Sequence, residues 1–590
     1  MKLLMTGNEA IARGVYEVGC VFAAAYPGTP STEIMENIAT HYKEVAAEWA
    51  PNEKVALEAS IGAAIAGGRS FASMKHVGLN VAADPLFTVA YSGINAGLVV
   101  VTADEPGQHS SQNEQDNRYY ARAAKIPMLE PSDSQECLDM VKVAFVISET
   151  YDTPVLIRLT TRVCHSKSIV EAGERKEVPF VPYVKNAKKY VDVPANAIVR
   201  RLEVENHISL LKEYSEVTPL NFTEDNGAEI GVIASGMCYN YAKEVFADKA
   251  NYLKIGFGYP LPLNKIRRFA AGLKKIYVLE ENDPVMETEI RALGIDVFGT
   301  GFFPVNGEYT SDIIRACLTG KSVHTADFDR SLIVARPPSF CAGCPHRGLF
   351  YELGRRKDIV VSGDIGCYTL GFAPPYNAMD FNNCMGFSIS GAGGAQKVFN
   401  MQPDNKKRVV AVIGDSTFFH SGITSLLDIV YNKSNPVIII LDNRITGMTG
   451  HQENPGSGFT AQGDPANITD IEAVVRALGM QRVTQVDPND LAQLGKALDD
   501  ALECKEAGVI ITRYPCALKK FSNADKEEFP EAFKTRYTVN KEKCVGCKLC
   551  LKCGCPALSY KNKKAEIDAS ACVGCGVCSQ LCRTSAINKA

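Results

Sequence analysis

The chain has 590 residues, 46% of them hydrophobic and 22% charged, with a formal net charge of −4, the composition of a globular protein with room for several α/β domains. No apolar run reaches the roughly eighteen residues that a membrane-spanning helix needs, so no membrane role is expected. Residues 1–9 turn polar too early for a signal-peptide core, and twenty cysteines without an export signal point to metal ligands and reduced thiols in an anaerobic cytoplasm, not to disulfides.

Strands alternate with helices along the body, the pattern of parallel sheets covered on both faces. A short apolar strand at 21–26 runs into the loop Pro27-Gly28-Thr29-Pro30, and Ser31 is placed to cap the next helix, with Glu33 and Glu36 in its first turns. A small-residue helix follows at 55–68, then buried strands at 98–102 and 155–160. Between those strands lies a long polar loop, where site residues concentrate. Its His109 or Arg118 is a candidate for a substrate carboxylate, against a plain loop hydrogen-bonding role. The lysine-rich stretch from about 165 to 195, holding Pro179 and Pro182, reads as a linker. A second α/β unit has strands at 230–235, 252–257 and 275–280. A linker at 326–338 introduces a third, with strands at 359–361, 409–413, 437–441 and 509–512. A charged connector at 522–535 leads to the tail.

The third unit carries the most telling pattern of the body. One hydrophobic strand ends in Gly414-Asp415-Ser416, a helix covers roughly 425–432, and the next strand ends in Asp442-Asn443-Arg444-Ile445, with Asp415 and Asn443 28 residues apart. In a parallel sheet the C-terminal ends of neighbouring strands meet at one crevice. Asp415 and Asn443 are hard oxygen donors there, suited to a Mg²⁺ that keeps waters and grips a diphosphate, with the Ile445 carbonyl completing the protein's share. The glycine-rich stretch 385–394 precedes them and could approach phosphates closely. The pattern resembles the Gly-Asp-Gly…Asn signature of thiamine diphosphate enzymes, with Ser416 in place of the second glycine. Such a cofactor needs a carboxylate against its aminopyrimidine ring, to favour the tautomer that takes the proton from the thiazolium. Glu58, early in the small-residue helix, fits that need; the alternative is a solvent-facing helix glutamate. His346 and His420 are weaker candidates for touching diphosphate or moving a proton, and Asp364 reads as a turn residue.

The last 47 residues hold nine cysteines in two runs with the spacing of [4Fe–4S] ligands. In two-cluster ferredoxins three cysteines of a C-x2-C-x2-C run hold one cubane and the fourth ligates the other. Cluster I should take Cys544, Cys547, Cys550 and Cys582; cluster II should take Cys572, Cys575, Cys578 and Cys555. Cys553 is a rival for the last place, Cys555 being preferred because Pro556 follows it. A pair of zinc knuckles is the alternative. From 541 to 590 nine Lys/Arg stand against three Asp/Glu. Without interleaved aromatics this basic tail suits an acidic electron carrier better than a nucleic acid; the alternative is a plain solvated face that offsets the clusters' negative charge.

Together, Tyr26-Pro27-Gly28-Thr29-Pro30-Ser31-Thr32-Glu33, Glu58, the Asp415/Asn443 pair and the two-cluster tail resemble the 2-oxoacid:ferredoxin oxidoreductases, especially the large (α) subunits of their indolepyruvate branch. The resemblance covers essentially the whole chain. It implies an α/β architecture of three doubly wound domains, pyrimidine-binding (1–180), transketolase C-terminal-like (196–325) and diphosphate-binding (335–520), plus an α+β two-cluster ferredoxin domain (535–590). It implies oxidative decarboxylation of aryl 2-oxoacids on thiamine diphosphate and Mg²⁺, with coenzyme A taking the acyl group and external ferredoxin the electrons. It gives Thr29 a contact with the substrate, and a smaller β subunit of the γ-domain type as partner, in an α2β2 assembly. It also suggests a third cluster on Cys341, Cys344, Cys367 and Cys516; otherwise these are reduced thiols, with Cys341 and Cys344 a redox or zinc pair. The rival functions are an electron-transfer subunit on an inactive thiamine fold, and a non-oxidative decarboxylase.

Overall fold

The computed structural model describes residues 1–321, 327–334 and 336–590, so the linker expected at 326–338 lies partly outside the described residues. Two compact units are present, Met1–Phe328 and Asp329–Ala590. No helix among the described residues is long and apolar enough to cross a membrane.

The first unit is built on two large sheets and a two-stranded ladder. The larger has seven strands in the order Phe257–Tyr259, Met128–Leu129, Val155–Thr160, Leu98–Asp104, Ser70–Lys75, Phe22–Ala25 and Ala46–Trp49, parallel except at the Phe257–Tyr259 edge. Leu98–Asp104 and Val155–Thr160 are buried along their whole length, which is why they read as continuous apolar runs. The smaller sheet orders Lys275–Leu279, Ile230–Ser235, Asn251–Ile255 and the antiparallel Asn221–Glu224.

Several expectations need correction here. The strand expected at 252–257 is two strands, broken at Gly256. There the Asn221 side chain accepts from the N–H groups of Gly256 (3.0 Å) and Phe257 (2.8 Å), and the chain crosses to the edge of the larger sheet. The presumed linker at 165–195 contains the strand Lys167–Glu171, paired antiparallel with Lys2–Thr6. It leads into a 24-residue helix, Pro194–Val217, which buries only Val204, Ile208, Leu211 and Ser215, a stripe too thin to announce a helix. Ser31 stands before the helix Thr32–His41 without capping it; its hydroxyl donates to the Gly28 carbonyl at 2.9 Å.

Arg118 is not a substrate ligand. It is 2% exposed and held by Asp116, Glu280 and the carbonyls of Glu281 (3.0 Å) and Asp283 (2.7 Å), so it ties the two sheets of this unit together. Removing one member of such a buried pair leaves an uncompensated charge. Arg118→Ala is therefore expected to destabilise the unit by about 3–5 kcal/mol, measured as a lower denaturant midpoint.

The second unit carries a five-stranded parallel sheet ordered Ile359–Ser362, Arg408–Gly414, Val437–Asp442, Gly508–Arg513 and Val483–Val486. The glycine-rich stretch becomes the helix Phe387–Asn400. Two small antiparallel pairs, Tyr537–Val539 with Ile587–Lys589 and Leu558–Lys561 with Lys564–Ile567, frame the cysteine-rich tail.

Candidate functional site

In the second unit, parallel register sets Gly414 beside Leu441, so the ends of two adjacent strands bring Asp415 next to Asp442 and Asn443. Asp415 is 2% exposed. Its Oδ1 accepts from the Ser416 N–H at 2.7 Å, whereas its Oδ2 is buried without a hydrogen-bond partner. Burial, with Asp442 adding to it, pushes its carboxyl up to about 8. An orphaned buried carboxylate oxygen is costly alone and suits a hard cation, so the donor set of Asp415, Asn443 and the Ile445 carbonyl fits Mg²⁺. Asp442 belongs elsewhere, its Oδ2 accepting from Arg513 Nε at 2.7 Å.

Around this point the side chains form a connected polar group. Asn443 Oδ1 accepts from the Ile445 N–H at 3.1 Å, and its Nδ2 lies 3.3 Å from His346 Nε2. Burial holds His346 down to about 4, so the ring is neutral and Nε2 can accept that bond. Ser416 Oγ lies 2.8 Å from Thr446 Oγ1. Beyond Asp415 the helix widens into a π turn, Phe418–Gly422, a distortion frequent at functional sites. It carries His420, whose Nδ1 lies 2.6 Å from Ser421 Oγ. Asp364 is indeed a structural anchor. It accepts N–H bonds from Gly386 and Ser388 (2.9 Å each) and Ile365 (2.8 Å), and so occupies the start of the glycine-rich helix that had been expected to face phosphates.

Four non-tail cysteines gather beside this crevice. The Cys516 N–H donates to the Asn443 carbonyl, and the Cys344 N–H to the Cys341 carbonyl, each at 3.1 Å. A side chain at Gly447 would meet Cys367 Sγ at 3.6 Å. Burial first, then the nearness of Cys516 and Cys341, pushes the Cys367 thiol up to about 12. Cys344, buried, is raised by burial and then by Cys367 and Cys516. Cys367 and Cys516 each lie within electrostatic reach of the other three thiols, although among the described residues no group of three or more such side chains is set closely enough to hold a metal ion.

In the tail, Cys544, Cys547, Cys550 and Cys582 line one small cavity. The Ala586 N–H donates to Cys582 Sγ at 3.2 Å, a bond of the kind that tunes cluster sulfurs. The other group surrounds Cys578, which is raised by burial and then by Cys553, Cys575, Cys555 and Cys572. Cys553 is the fully buried member of the rival pair and Cys555 the partly exposed one, so both remain within reach of this group. The tail packs on its own unit. Gln580 Nε2 donates to the Asn489 carbonyl at 2.6 Å, and a side chain on Gly343, in the Cys341–Cys344 loop, would strike Val573.

The first unit changes the reading of its carboxylates. Glu58 is exposed and ion-paired with Lys54, so the close packing expected around it is absent. Glu53, at the first turn of the same helix Glu53–Ile65, is the buried one, 4% exposed. A side chain at Gly78 would come within 2.7 Å of its Oε1, so the glycine makes room for the carboxylate. Lys75 lies nearby, its ammonium disfavoured by burial and then favoured by Glu105 and Glu53. Gly28 packs against the Lys75 stem, 3.0 Å from Cγ to a would-be Cβ, which places the half-buried Thr29 loop beside this lysine. Glu53 and Lys75 escaped the sequence reading. His109 is half exposed and turned to Glu308, 3.7 Å away.

Residues 13–221 match the family "Pyruvate flavodoxin/ferredoxin oxidoreductase, thiamine diP-bdg", 364–512 match "Thiamine pyrophosphate enzyme, C-terminal TPP binding domain", and 565–588 match "4Fe-4S binding domain". The indolepyruvate oxidoreductase subunit IorA of Methanothermobacter marburgensis is 41% identical over 99% of this chain and 97% of its own. That of Archaeoglobus fulgidus is 39% identical over 100% and 98%. The 2-oxoglutarate synthase subunit KorA of Archaeoglobus fulgidus is 26% identical over 51% of this chain and 96% of its own. The chain belongs to the IorA family, thiamine-dependent iron–sulfur oxidoreductases that decarboxylate 2-oxoacids oxidatively and pass the electrons to ferredoxin.

Proposed function

We propose that the substrates are aryl 2-oxoacids such as indolepyruvate, that coenzyme A takes the acyl group, and that three [4Fe–4S] clusters carry the electrons out. The partner is a smaller β subunit of the γ-domain type in an α2β2 assembly. The four-domain partition at 1–180, 196–325, 335–520 and 535–590 belongs to the same reading.

The observation that carries the oxidative reading is the bond from the Cys516 N–H to the Asn443 carbonyl. It joins Cys516, one of the four thiols, to the strand end that would hold the metal and diphosphate. A decarboxylase that never handled electrons would gain nothing from thiols there. When bound, thiamine diphosphate supplies the electron sink that lets CO2 leave. Asp415, Asn443 and the Ile445 carbonyl would hold Mg²⁺, which would supply the positive charge that the diphosphate needs, while Gly414 and Ser416 shape the strand end. Neutral His346 fixes the Asn443 amide. Glu53 takes the aminopyrimidine role first considered for Glu58, because a buried carboxylate can keep a directed proton contact that water would compete for at an exposed one. Thr29 and Lys75 offer a hydroxyl and a cation for the substrate carboxylate. Cys547 is the one exposed thiol among the proposed tail ligands, so cluster I is the outward one and external ferredoxin docks on its lysine-rich side.

Anaerobic co-purification with the partner subunit, followed by viologen reduction across a panel of 2-oxoacids with and without coenzyme A, tests the substrate class. Equal rates for aliphatic and aryl acids would overturn the aryl preference, and CO2 release without viologen reduction would favour the non-oxidative rival. Asp415→Ala is expected to weaken retention of Mg²⁺ and thiamine diphosphate together, read as cofactor content after desalting. Full retention would make this tip an ordinary strand end.

A further inference from the structure

Arg347 is fully buried, yet the groups favouring its charge are Tyr376 and the thiols of Cys555, Cys344 and Cys553. Its Nη2 donates to the carbonyls of Phe340 (2.9 Å) and Cys341 (2.6 Å). Its Nη1 donates to the Cys553 carbonyl (2.7 Å) and lies 2.8 Å from the Tyr376 hydroxyl, which itself donates to the Cys553 carbonyl at 2.6 Å. Nε is buried with no partner. One guanidinium thus grips a backbone carbonyl in each of two cysteine groups, the one beside the cofactor crevice and the inner one of the tail. It also acts on the Cys575 thiol in that inner group.

A buried cation without a carboxylate partner is expensive, so this position needs anions that form only when the protein is complete. Two thiolate-ligated cubanes, each carrying net negative charge, supply them. A nearby cation stabilises the reduced, more negative level of a cluster and so raises its potential.

We propose that Arg347 is the positioning residue that couples the third cluster to tail cluster II, raising both potentials and linking their ligand loops through Cys341 and Cys553. The inference rests on the third-cluster reading above. In the step it serves, one electron leaves the third cluster, which is oxidised, and reduces cluster II. No proton moves, because the guanidinium stays protonated throughout.

The test uses the anaerobic holoenzyme with its partner subunit, comparing the parent with Arg347→Gln and Arg347→Lys. Iron content, redox titration followed by electron paramagnetic resonance, and the rate of tail reduction after mixing with 2-oxoacid are measured. Arg347→Gln, with parental iron, should shift the third cluster and cluster II to lower potential and leave cluster I unmoved; unmoved potentials with full iron overturn the proposal. Arg347→Lys keeps the charge but cannot span both carbonyls, so it should hold the potentials and slow tail reduction by about tenfold. A parental rate in this variant overturns the link, and remains decisive if Arg347→Gln fails to assemble. About eight irons in the parent, with no third-cluster signal, would instead sink the reading on which the proposal stands.

Discussion

Glu53→Gln is expected to lower 2-oxoacid-dependent electron transfer by about 10²–10⁴-fold, with iron content unchanged. The amide keeps the volume beside Gly78 but cannot hold the proton contact that activates the cofactor. Glu58→Gln, on the exposed face with Lys54, should stay within a factor of a few of the parent. Rates at saturating thiamine diphosphate for the two variants side by side decide the assignment. The reverse ranking would return the role to Glu58.

Cys367→Ala should lower iron from about twelve to about eight per chain and abolish reduction of the tail by 2-oxoacid. The tail clusters should still accept electrons from dithionite, because Cys367 belongs to neither of their ligand groups. Iron analysis and the spectrum of dithionite-reduced protein separate these effects. Unchanged iron would mean that Cys341, Cys344, Cys367 and Cys516 are ordinary thiols, whatever the activity.

The diphosphate strands were legible because each is an apolar run ending in a polar residue, and buried parallel strands permit little else. The tail was legible because cluster ligands are fixed by local spacing. Which side of a small-residue helix faces inward was not. Glu53 and Glu58 sit on one helix whose alanines and glycines give it no apolar stripe, so nothing in the pattern said which side faced inward. Arg118 misled for a different reason. Its partner Glu280 stands 162 residues away, and a pairing of that kind leaves no mark in either neighbourhood. The strand Lys2–Thr6 pairs with Lys167–Glu171 at a half-exposed ladder whose apolar runs are only two or three residues long, too short to betray a strand.

The unequal shelter of the two tail groups bears on how the protein dies in air. Cys547 is exposed and its neighbour Val545 is 67% exposed, while the four thiols proposed for cluster II are buried or partly buried. Dioxygen should therefore reach the cubane proposed at Cys547 first. Early damage should cut the line to ferredoxin while the inner centres can still be filled from the substrate, leaving an enzyme that charges itself and cannot discharge.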